Sequence, residues 1–161
     1  MAYVLLKLAH IIGAAVLLGT GAGIAFFMLL AHRTGDARTV AAVARMVVIA
    51  DFVFTATAVV LQPVTGLLLA RNVGYALNEG WIVLSILLYL LTGALWLPVV
   101  WMQARMRKLA SEAADVGGPL PPEYHRLFRT WFWFGFPAFG AVLTIFWLMI
   151  ARPDLGRWEL L

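Results

Sequence analysis

The chain has 161 residues, of which 63% are hydrophobic and 12% are charged. A soluble domain is closer to half apolar and a quarter charged, so this composition excludes an ordinary soluble domain and predicts a chain that lies largely in lipid. The net charge of +4 is small and scattered, which argues against a nucleic-acid partner, and the absence of cysteine excludes disulfides and thiolate metal sites.

The first predicted span runs roughly from residue 3 to residue 31 and holds the most informative side chain of the sequence, His10. The apolar run is too long for a cleaved signal, so we expect a retained first helix. Lys7 lies one helical turn before His10. Ionisable groups inside a membrane are costly and usually face a bundle interior, a cofactor or a water-filled path, so both residues are candidates for function.

The same span carries a ridge of small residues, Ala15, Gly19 and Gly23, of which the two glycines form a GxxxG pattern. Small residues let another surface approach the helix backbone closely. The ridge fits a contact with a neighbouring helix of the same chain, a contact with a second copy, or the edge of a flat cofactor.

Three further spans are predicted at roughly residues 40–70, 81–102 and 127–151, and the span 81–102 continues as a basic helical extension to Lys108. A bilayer core needs about 20 residues per helix, and each stretch is long enough. The loops between the spans are short, which makes consecutive helices antiparallel. We therefore expect an all-α fold: one transmembrane domain over residues 1–161, built as an antiparallel up-down four-helix bundle.

The basic residues predict the orientation of the bundle. Of the twelve lysines and arginines, eight flank the first and third loops and four lie on the other side of the membrane. Cytoplasmic loops carry the excess of basic residues, so both termini are expected outside the cytoplasm. The eight are Arg33, Arg38, Arg45, Arg105, Arg107, Lys108, Arg126 and Arg129, and the four are Lys7, Arg71, Arg152 and Arg157.

Polar residues recur along one face of the second span. Asp51, Thr55, Ala58, Gln62 and Thr65 step by four, three, four and three residues, which is the spacing of one helix face. Lipid offers no hydrogen-bond partners, so we expect this stripe to point at matching stripes on the other spans. Threonine also lines ordinary helix contacts, and that simpler interpretation applies to Thr55 and Thr65.

Depth along the helices groups several polar side chains. His10 lies about 10 Å below the outer end of the first span, at 1.5 Å per residue. Gln62 and Tyr89 reach a similar level on their own spans, with Ser85 and Lys7 nearby. We expect Gln62, Tyr89 and Ser85 to form a polar shell around His10, and Lys7 to be a catalytic candidate beside it.

Asp51 lies deeper, near the middle of the membrane and level with Trp96. No basic residue is expected beside it at that depth. A carboxyl group in this position suits a proton relay, which makes Asp51 a second catalytic candidate. It suits a structural hydrogen bond to a threonine equally well.

Three roles are open for His10. A neutral imidazole can bind haem iron or a transition metal, it can relay protons, or it can be a satisfied core histidine bonded to Gln62 or Tyr89. A metal site built from protein ligands alone is weakly supported, because His32 and His125 belong to the opposite end of the bundle. Haem needs one or two axial ligands and an apolar slot, and a second axial histidine would come from a second copy of the chain.

Several sparse positions follow one another through most of the chain: Lys7-Leu-Ala-His10-Ile-Ile, His32-Arg33, Trp81, Arg105-Met-Arg107, Phe128-Arg129, Pro137 and Ala151-Arg-Pro153. In this order they resemble the HemJ-type protoporphyrinogen oxidases, small helical membrane proteins that use haem b to oxidise a porphyrinogen. The resemblance implies haem b as the cofactor, His10 as its axial ligand, and a porphyrin or quinone-type redox partner.

The chain departs from those oxidases at two places. Ser85 stands where they carry a lysine four residues after Trp81, and Phe134-Gly135-Phe136 replaces an Asn-Glu pair shortly before Pro137. The Gln62-Pro63-Val-Thr65-Gly66 segment and the Lys-x-x-His start are more similar to a related bacterial family of predicted integral-membrane proteins of unknown function. The CopD-type membrane domains resemble the chain more distantly.

These observations predict a multi-pass protein of a bacterial inner membrane, assembled as a homo-oligomer in the lipid bilayer. The leading functional hypothesis is a haem b-binding redox protein and, if it is an enzyme, a membrane oxidoreductase resembling protoporphyrinogen oxidase. The alternative is a non-catalytic membrane subunit or a small transporter, in which His10 and Asp51 serve packing or proton movement.

Overall fold

The computed structural model describes residues 1–158. The regular secondary structure of this part of the chain is helical apart from one isolated β-bridge. Four of its helices are long and apolar enough to cross a membrane, which is compatible with a membrane four-helix bundle. Many large apolar side chains on these helices are exposed, as expected where a helix surface faces lipid. The four long helices are Ala2–Thr34, Ala37–Val73, Gly80–Asp115 and Pro122–Ala151.

The first connection is a tight turn between helix α1 (Ala2–Thr34) and helix α2 (Ala37–Ala50). Gly35 ends α1 with a φ of 67°, a left-handed conformation that glycine adopts without strain. Asp36 then caps α2, because its carboxylate accepts hydrogen bonds from the backbone N–H of Thr39 at 2.8 Å and from the Thr39 hydroxyl at 2.6 Å. The expectation of a short loop between the first two spans is confirmed.

The second long helix contains a π-helical turn. Helix α2 passes into π-helical residues Asp51–Thr55, and helix α3 (Ala56–Val73) follows without a break. The backbone N–H of Ala56 bonds to the carbonyl of Asp51, five residues earlier rather than four. A π turn adds one residue to the helix, which rotates the side chains that follow it by about 100° around the helix axis.

Helices α4 (Gly80–Asp115) and α5 (Pro122–Ala151) extend further than the sequence predicted. Residues 111–115 were expected in a loop, and that expectation was wrong: they continue α4, with Ala113 buried against the core. Arg105 and Glu123 join the two helices near the connection through a two-point ion pair, with Nε–Oε1 at 2.7 Å and Nη2–Oε2 at 3.0 Å. Proline is favoured in the first turn of a helix, which explains the start of α5 at Pro122.

The apolar core is divided between the two ends of the bundle. At one end the last turns of α1 pack with α2, the second half of α4 and the first half of α5. At the other end the C-terminal turns of α3 pack against the first turn of α4 and the C-terminal turns of α5. The polar side chains of interest lie between these clusters. The first cluster includes Met28, Val40, Met106, Tyr124 and Phe128, and the second consists of Ala70, Trp81, Ile82 and Leu148.

Residues 152–158 fold back over the start of α4. The backbone N–H of Gly80 bonds to the carbonyl of Gly156 at 2.8 Å, and that of Trp158 bonds to the carbonyl of Asn78 at 2.9 Å. A side chain at Gly80 would approach the Cβ of Leu155 to 2.7 Å, so this close contact requires glycine. The segment therefore covers the end of the bundle where α3, α4 and α5 meet.

Replacing Asp36 by alanine is expected to lower the thermal unfolding midpoint of the protein in detergent at neutral pH. Hydrogen bonds from Thr39 hold the pKa of Asp36 below its ordinary value of 3.8, so the folded state binds this proton more weakly than the unfolded chain does. The cap therefore stabilises the protein fully above pH 3.8 and loses this effect as the pH falls through the lower, folded pKa.

The measurement is the unfolding midpoint of Asp36→Ala and of the parent between about pH 3 and pH 7. Asp115→Ala is the matched control, since Asp115 is exposed and accepts no hydrogen bond from residues 1–158. A difference between Asp36→Ala and the parent that stays constant down to the lowest pH would contradict the capping role.

Candidate functional site

The His10 imidazole lies half-buried against α3, where it meets Thr65. Nδ1 of His10 is 2.8 Å from the Thr65 hydroxyl, and that hydroxyl donates its proton to the carbonyl of Leu61 at 2.7 Å. A hydroxyl has one proton to donate, so it accepts the bond from the imidazole and Nδ1 carries the ring hydrogen. Nε2 is then the nitrogen with the free lone pair.

Two glycines let α1 and α3 approach each other at this point. Gln62 Nε2 donates a hydrogen bond to the backbone carbonyl of His10 at 2.8 Å, and a side chain at Gly13 would overlap that amide. On the other helix, a Cβ at Gly66 would lie 3.2 Å from Cε1 of His10. At Gly13 the backbone of α1 therefore packs against the Gln62 side chain of α3. At Gly66 the backbone of α3 packs against the His10 side chain of α1.

Tyr89 satisfies a carbonyl group that a proline leaves free. Pro63 has no N–H, so the carbonyl of Val59, four residues earlier, lacks its regular helical donor. The Tyr89 hydroxyl of α4 donates a hydrogen bond to this carbonyl. Tyr89 therefore fastens α4 to α3 and compensates for the proline, and its hydroxyl does not bond to His10.

Ser85, the third member of the expected shell, and Lys7, the catalytic candidate, are not brought to the imidazole. The buried Ser85 hydroxyl donates to the carbonyl of Trp81 at 2.7 Å, within its own helix. Lys7 is exposed and forms no ion pair or hydrogen bond with any residue from 1 to 158. Neither Gln62 nor Tyr89, the partners considered for a structural His10, bonds to the ring: Thr65 is its partner, and Gln62 bonds to the His10 backbone.

Asp51 is buried, with 5% of its surface exposed, and its carboxyl group faces α4. Trp96 Nε1 of α4 lies 3.2 Å from both carboxylate oxygens, which confirms that the two residues share a level. The Gln103 amide, oriented to satisfy its neighbours, donates from Nε2 to Asp51 at 3.1 Å and accepts from Trp131 Nε1 at 3.2 Å. We call Asp51, Trp96, Gln103 and Trp131 the Asp51 network.

The Asp51 network supplies hydrogen-bond donors to both oxygens of the carboxyl group. Two N–H donors converge on Asp51, and an ionised carboxyl group only accepts hydrogen bonds. The Thr55 hydroxyl is buried beside Asp51 in the π turn, without a hydrogen-bond partner in the described part of the chain. Asp51 accepts hydrogen bonds from tryptophan and glutamine, and Thr55 of the same polar stripe lies beside it.

His10 and Asp51 belong to separate sites. The partner of His10, Thr65, lies 14 residues beyond Asp51 on the same long helix, which is about 21 Å at 1.5 Å per residue. The π turn lies between them, so Asp51 faces α4 while Gln62 and Thr65 face α1. A proton cannot pass directly from one site to the other.

The other two histidines, His32 and His125, lie together at a third place, where the end of α1 meets the start of α5. The His32 ring stacks on Phe128 with ring centroids 3.6 Å apart, and its Nδ1 lies 3.3 Å from the Tyr124 hydroxyl. His125 packs against the edge of the His32 ring at 5.6 Å. Among residues 1–158, no group of three or more histidine, cysteine or acidic side chains converges on a point where a metal ion would be held.

The family of the chain follows from a comparison with known families. Residues 4–153 match the family described as "Predicted integral membrane protein (DUF2269)". The chain belongs to the DUF2269 family. No curated protein and no solved structure matches it. The DUF2269 match and the four long apolar helices together show an integral membrane protein that crosses the bilayer several times.

We expect Asp51→Asn to destabilise this DUF2269 protein by about 1–2 kcal/mol, because an asparagine amide places an N–H₂ group against the N–H donors of Trp96 and Gln103. Asp115→Asn, the same change at an exposed position, is the control and should have no measurable effect. The measurement is the free energy of unfolding in mixed detergent micelles. Equal stability of the two variants would show that the Asp51 network does not hold the helices together.

Proposed function

We propose that this DUF2269 protein binds haem b and acts as a membrane redox protein of the HemJ-like group, with His10 as an axial ligand. The observation that carries the proposal is the hydrogen bond from His10 Nδ1 to Thr65. It leaves Nε2 with an unshared lone pair, which is the form of imidazole that binds iron. Histidine ligands of metals characteristically donate their other ring N–H to a protein acceptor, and Thr65 is such an acceptor.

The residues around His10 fit a haem ligand in three respects. Thr65 is buried and fixes the tautomer of the ring, Gly66 leaves room beside the ring, and the Gln62 amide fixes the His10 backbone. Farther along α1, side chains built at Gly19 and Gly23 would meet nothing within 4 Å. The small-residue ridge therefore has no partner at its glycines within residues 1–158. Gly19 lies nine residues from His10, about 180° around the helix, so the ridge is open to a second subunit on the side of α1 away from the imidazole.

Bound haem b would supply one-electron redox chemistry at this position. In the proposed site, His10 would hold the iron, Thr65 would orient the imidazole and Gln62 would hold the helix backbone in place. Lys7, exposed one turn before His10, would attract an anionic group such as a porphyrin carboxylate. A porphyrin or a quinone-type molecule would be the redox partner.

Asp51 has a different part in this proposal. It is too far along the helix to exchange a proton directly with a group bound at His10. Both of its contacts with α4 come from N–H donors that hold a carboxylate in place. This arrangement favours a positioning role for Asp51, and it is also what the alternative function, a non-catalytic membrane subunit, would need.

We further propose that the bundle is antiparallel, lies in a bacterial inner membrane and has both termini outside the cytoplasm. His10 near the start of α1 meets Thr65 near the end of α3, and His32 at the end of α1 meets Tyr124 at the start of α5. These contacts support helices that alternate in direction, and the bias of basic residues supports the orientation. A homo-oligomer would place a second copy against the open ridge of α1.

The first test of the proposal is the visible absorption spectrum of protein purified from haem-replete cells. The parent protein should show a Soret band that His10→Ala abolishes, because the substitution removes the axial nitrogen. His125→Ala is the control, since His125 is exposed at the far end of the bundle, and it should keep the band. A colourless and stably folded parent protein would contradict haem binding and favour the non-catalytic subunit.

A second test addresses the hydrogen bond to the ring. Thr65→Val has nearly the same shape but no hydroxyl, so His10 loses the acceptor that fixes its tautomer. Loss of such an outer partner typically weakens metal binding by about 10–100-fold, and we expect a drop of that size in haem affinity. The readouts are haem titration of the apo-protein and the reduction potential of the bound haem.

The control for that experiment is Thr57→Val on the same helix. The Thr57 hydroxyl is exposed and bonds only to the carbonyl of Val53 in its own helix turn. This variant should bind haem like the parent. Equal haem affinity and potential for the Thr65→Val protein and the parent would show that Thr65 does not position the ligand.

A further inference from the structure

A basic and aromatic groove runs along the first half of α5. Its lining residues are spaced as i, i+3, i+4, i+7 and i+8, so they share one side of a single helix. The groove encloses about 580 Å³ and is open to the surroundings. We call it the α5 groove, and it is lined by Arg126, Arg129, Thr130, Trp133 and Phe134.

The positive charges of the groove are not balanced by the protein. Arg126 and Arg129 are exposed, and neither forms an ion pair or a hydrogen bond through its guanidinium group with residues 1–158. The nearest carboxylate along α5, Glu123, is engaged by Arg105 through both of its oxygens. Two guanidinium groups about one helical turn apart are thus available to one anion. Guanidinium groups bind the oxygens of a phosphate with charge-assisted hydrogen bonds.

The other end of the groove is apolar and faces outward. Trp133 is 67% exposed and lies one turn beyond Thr130, at the depth where tryptophan commonly marks the boundary between water and lipid. The same side of α5 continues through Pro137 and Gly140, both exposed, and a side chain built at Gly140 would meet nothing within 4 Å. From Arg126 to Gly140 this track is about 21 Å long, the scale of an acyl chain.

We propose that the α5 groove binds one anionic phospholipid. Arg126 and Arg129 hold its phosphate, the Trp133 indole contacts the glycerol region, and an acyl chain lies along Pro137 and Gly140. The combination of charge at one end and an exposed apolar track at the other selects a lipid over free phosphate, which would use only the arginines. An anionic headgroup is favoured because it carries a net charge that the two guanidinium groups neutralise.

Native mass spectrometry of the intact protein tests the assignment, with phosphatidylglycerol and phosphatidylcholine offered in equal amounts in detergent. The parent protein should retain phosphatidylglycerol preferentially. The double substitution Arg126→Gln and Arg129→Gln should lower its affinity about tenfold or more, since each basic residue contributes strongly to binding of anionic lipid. Trp133→Ala should lower the affinity for both lipids.

The matched control is Arg33→Gln with Arg107→Gln, which removes two unpaired charges from other helices at the same end of the bundle. This variant should bind phosphatidylglycerol like the parent. An equal loss of affinity in both double variants would show that the net charge alone explains the effect, and it would overturn the proposed site. Displacement of the lipid by an equal concentration of inorganic phosphate would overturn the assignment to a lipid.

Discussion

Within a lipid bilayer, a polar group that does not find a partner in the protein finds none at all, and the arrangement of this molecule follows from that constraint. Pro63 removes a hydrogen bond from the middle of a long helix, and the hydroxyl of Tyr89 on a neighbouring helix replaces it. Asp51 is met by donors from α4, and the His10 ring is met by a threonine of α3. Each of these bonds joins two helices, so satisfying the polar groups also assembles the bundle.

The sequence predicted the broad outcome because hydrophobicity and helical spacing are local properties. The four long apolar stretches, the tight turn at Asp36, the closeness of Gln62 to His10 and the shared level of Asp51 and Trp96 all follow from counting residues along helices. The true ends of the helices were less predictable. Residues 111–115 contain small and acidic residues that resemble a loop, yet they extend α4, with Ala113 buried in the core and Ala114 packed partly against it.

The partners within the candidate sites depended on tertiary packing. Thr65 was recognised as part of a polar stripe, but its bond to the His10 ring requires the close approach that Gly13 and Gly66 allow. Trp131 was not among the site residues expected from the sequence, and it is buried and bonded to Gln103. Its spacing of three residues from Phe128 and seven from Tyr124, both buried, is the signal that places it on the inner side of α5. The π turn has no comparable signature in the residues that form it.

The π turn makes the number of residues in the second long helix as important as the identity of its polar side chains. Between Val48 and Ala56 the chain carries one residue more than an uninterrupted α-helix would use, and this surplus lets one helix present Asp51 to α4 and Thr65 to α1. Removing any single residue from this stretch would restore a regular helix and turn one of the two polar side chains away from its neighbour. In a relative of this chain, an alignment gap between these positions would therefore be as informative as the loss of Asp51 itself.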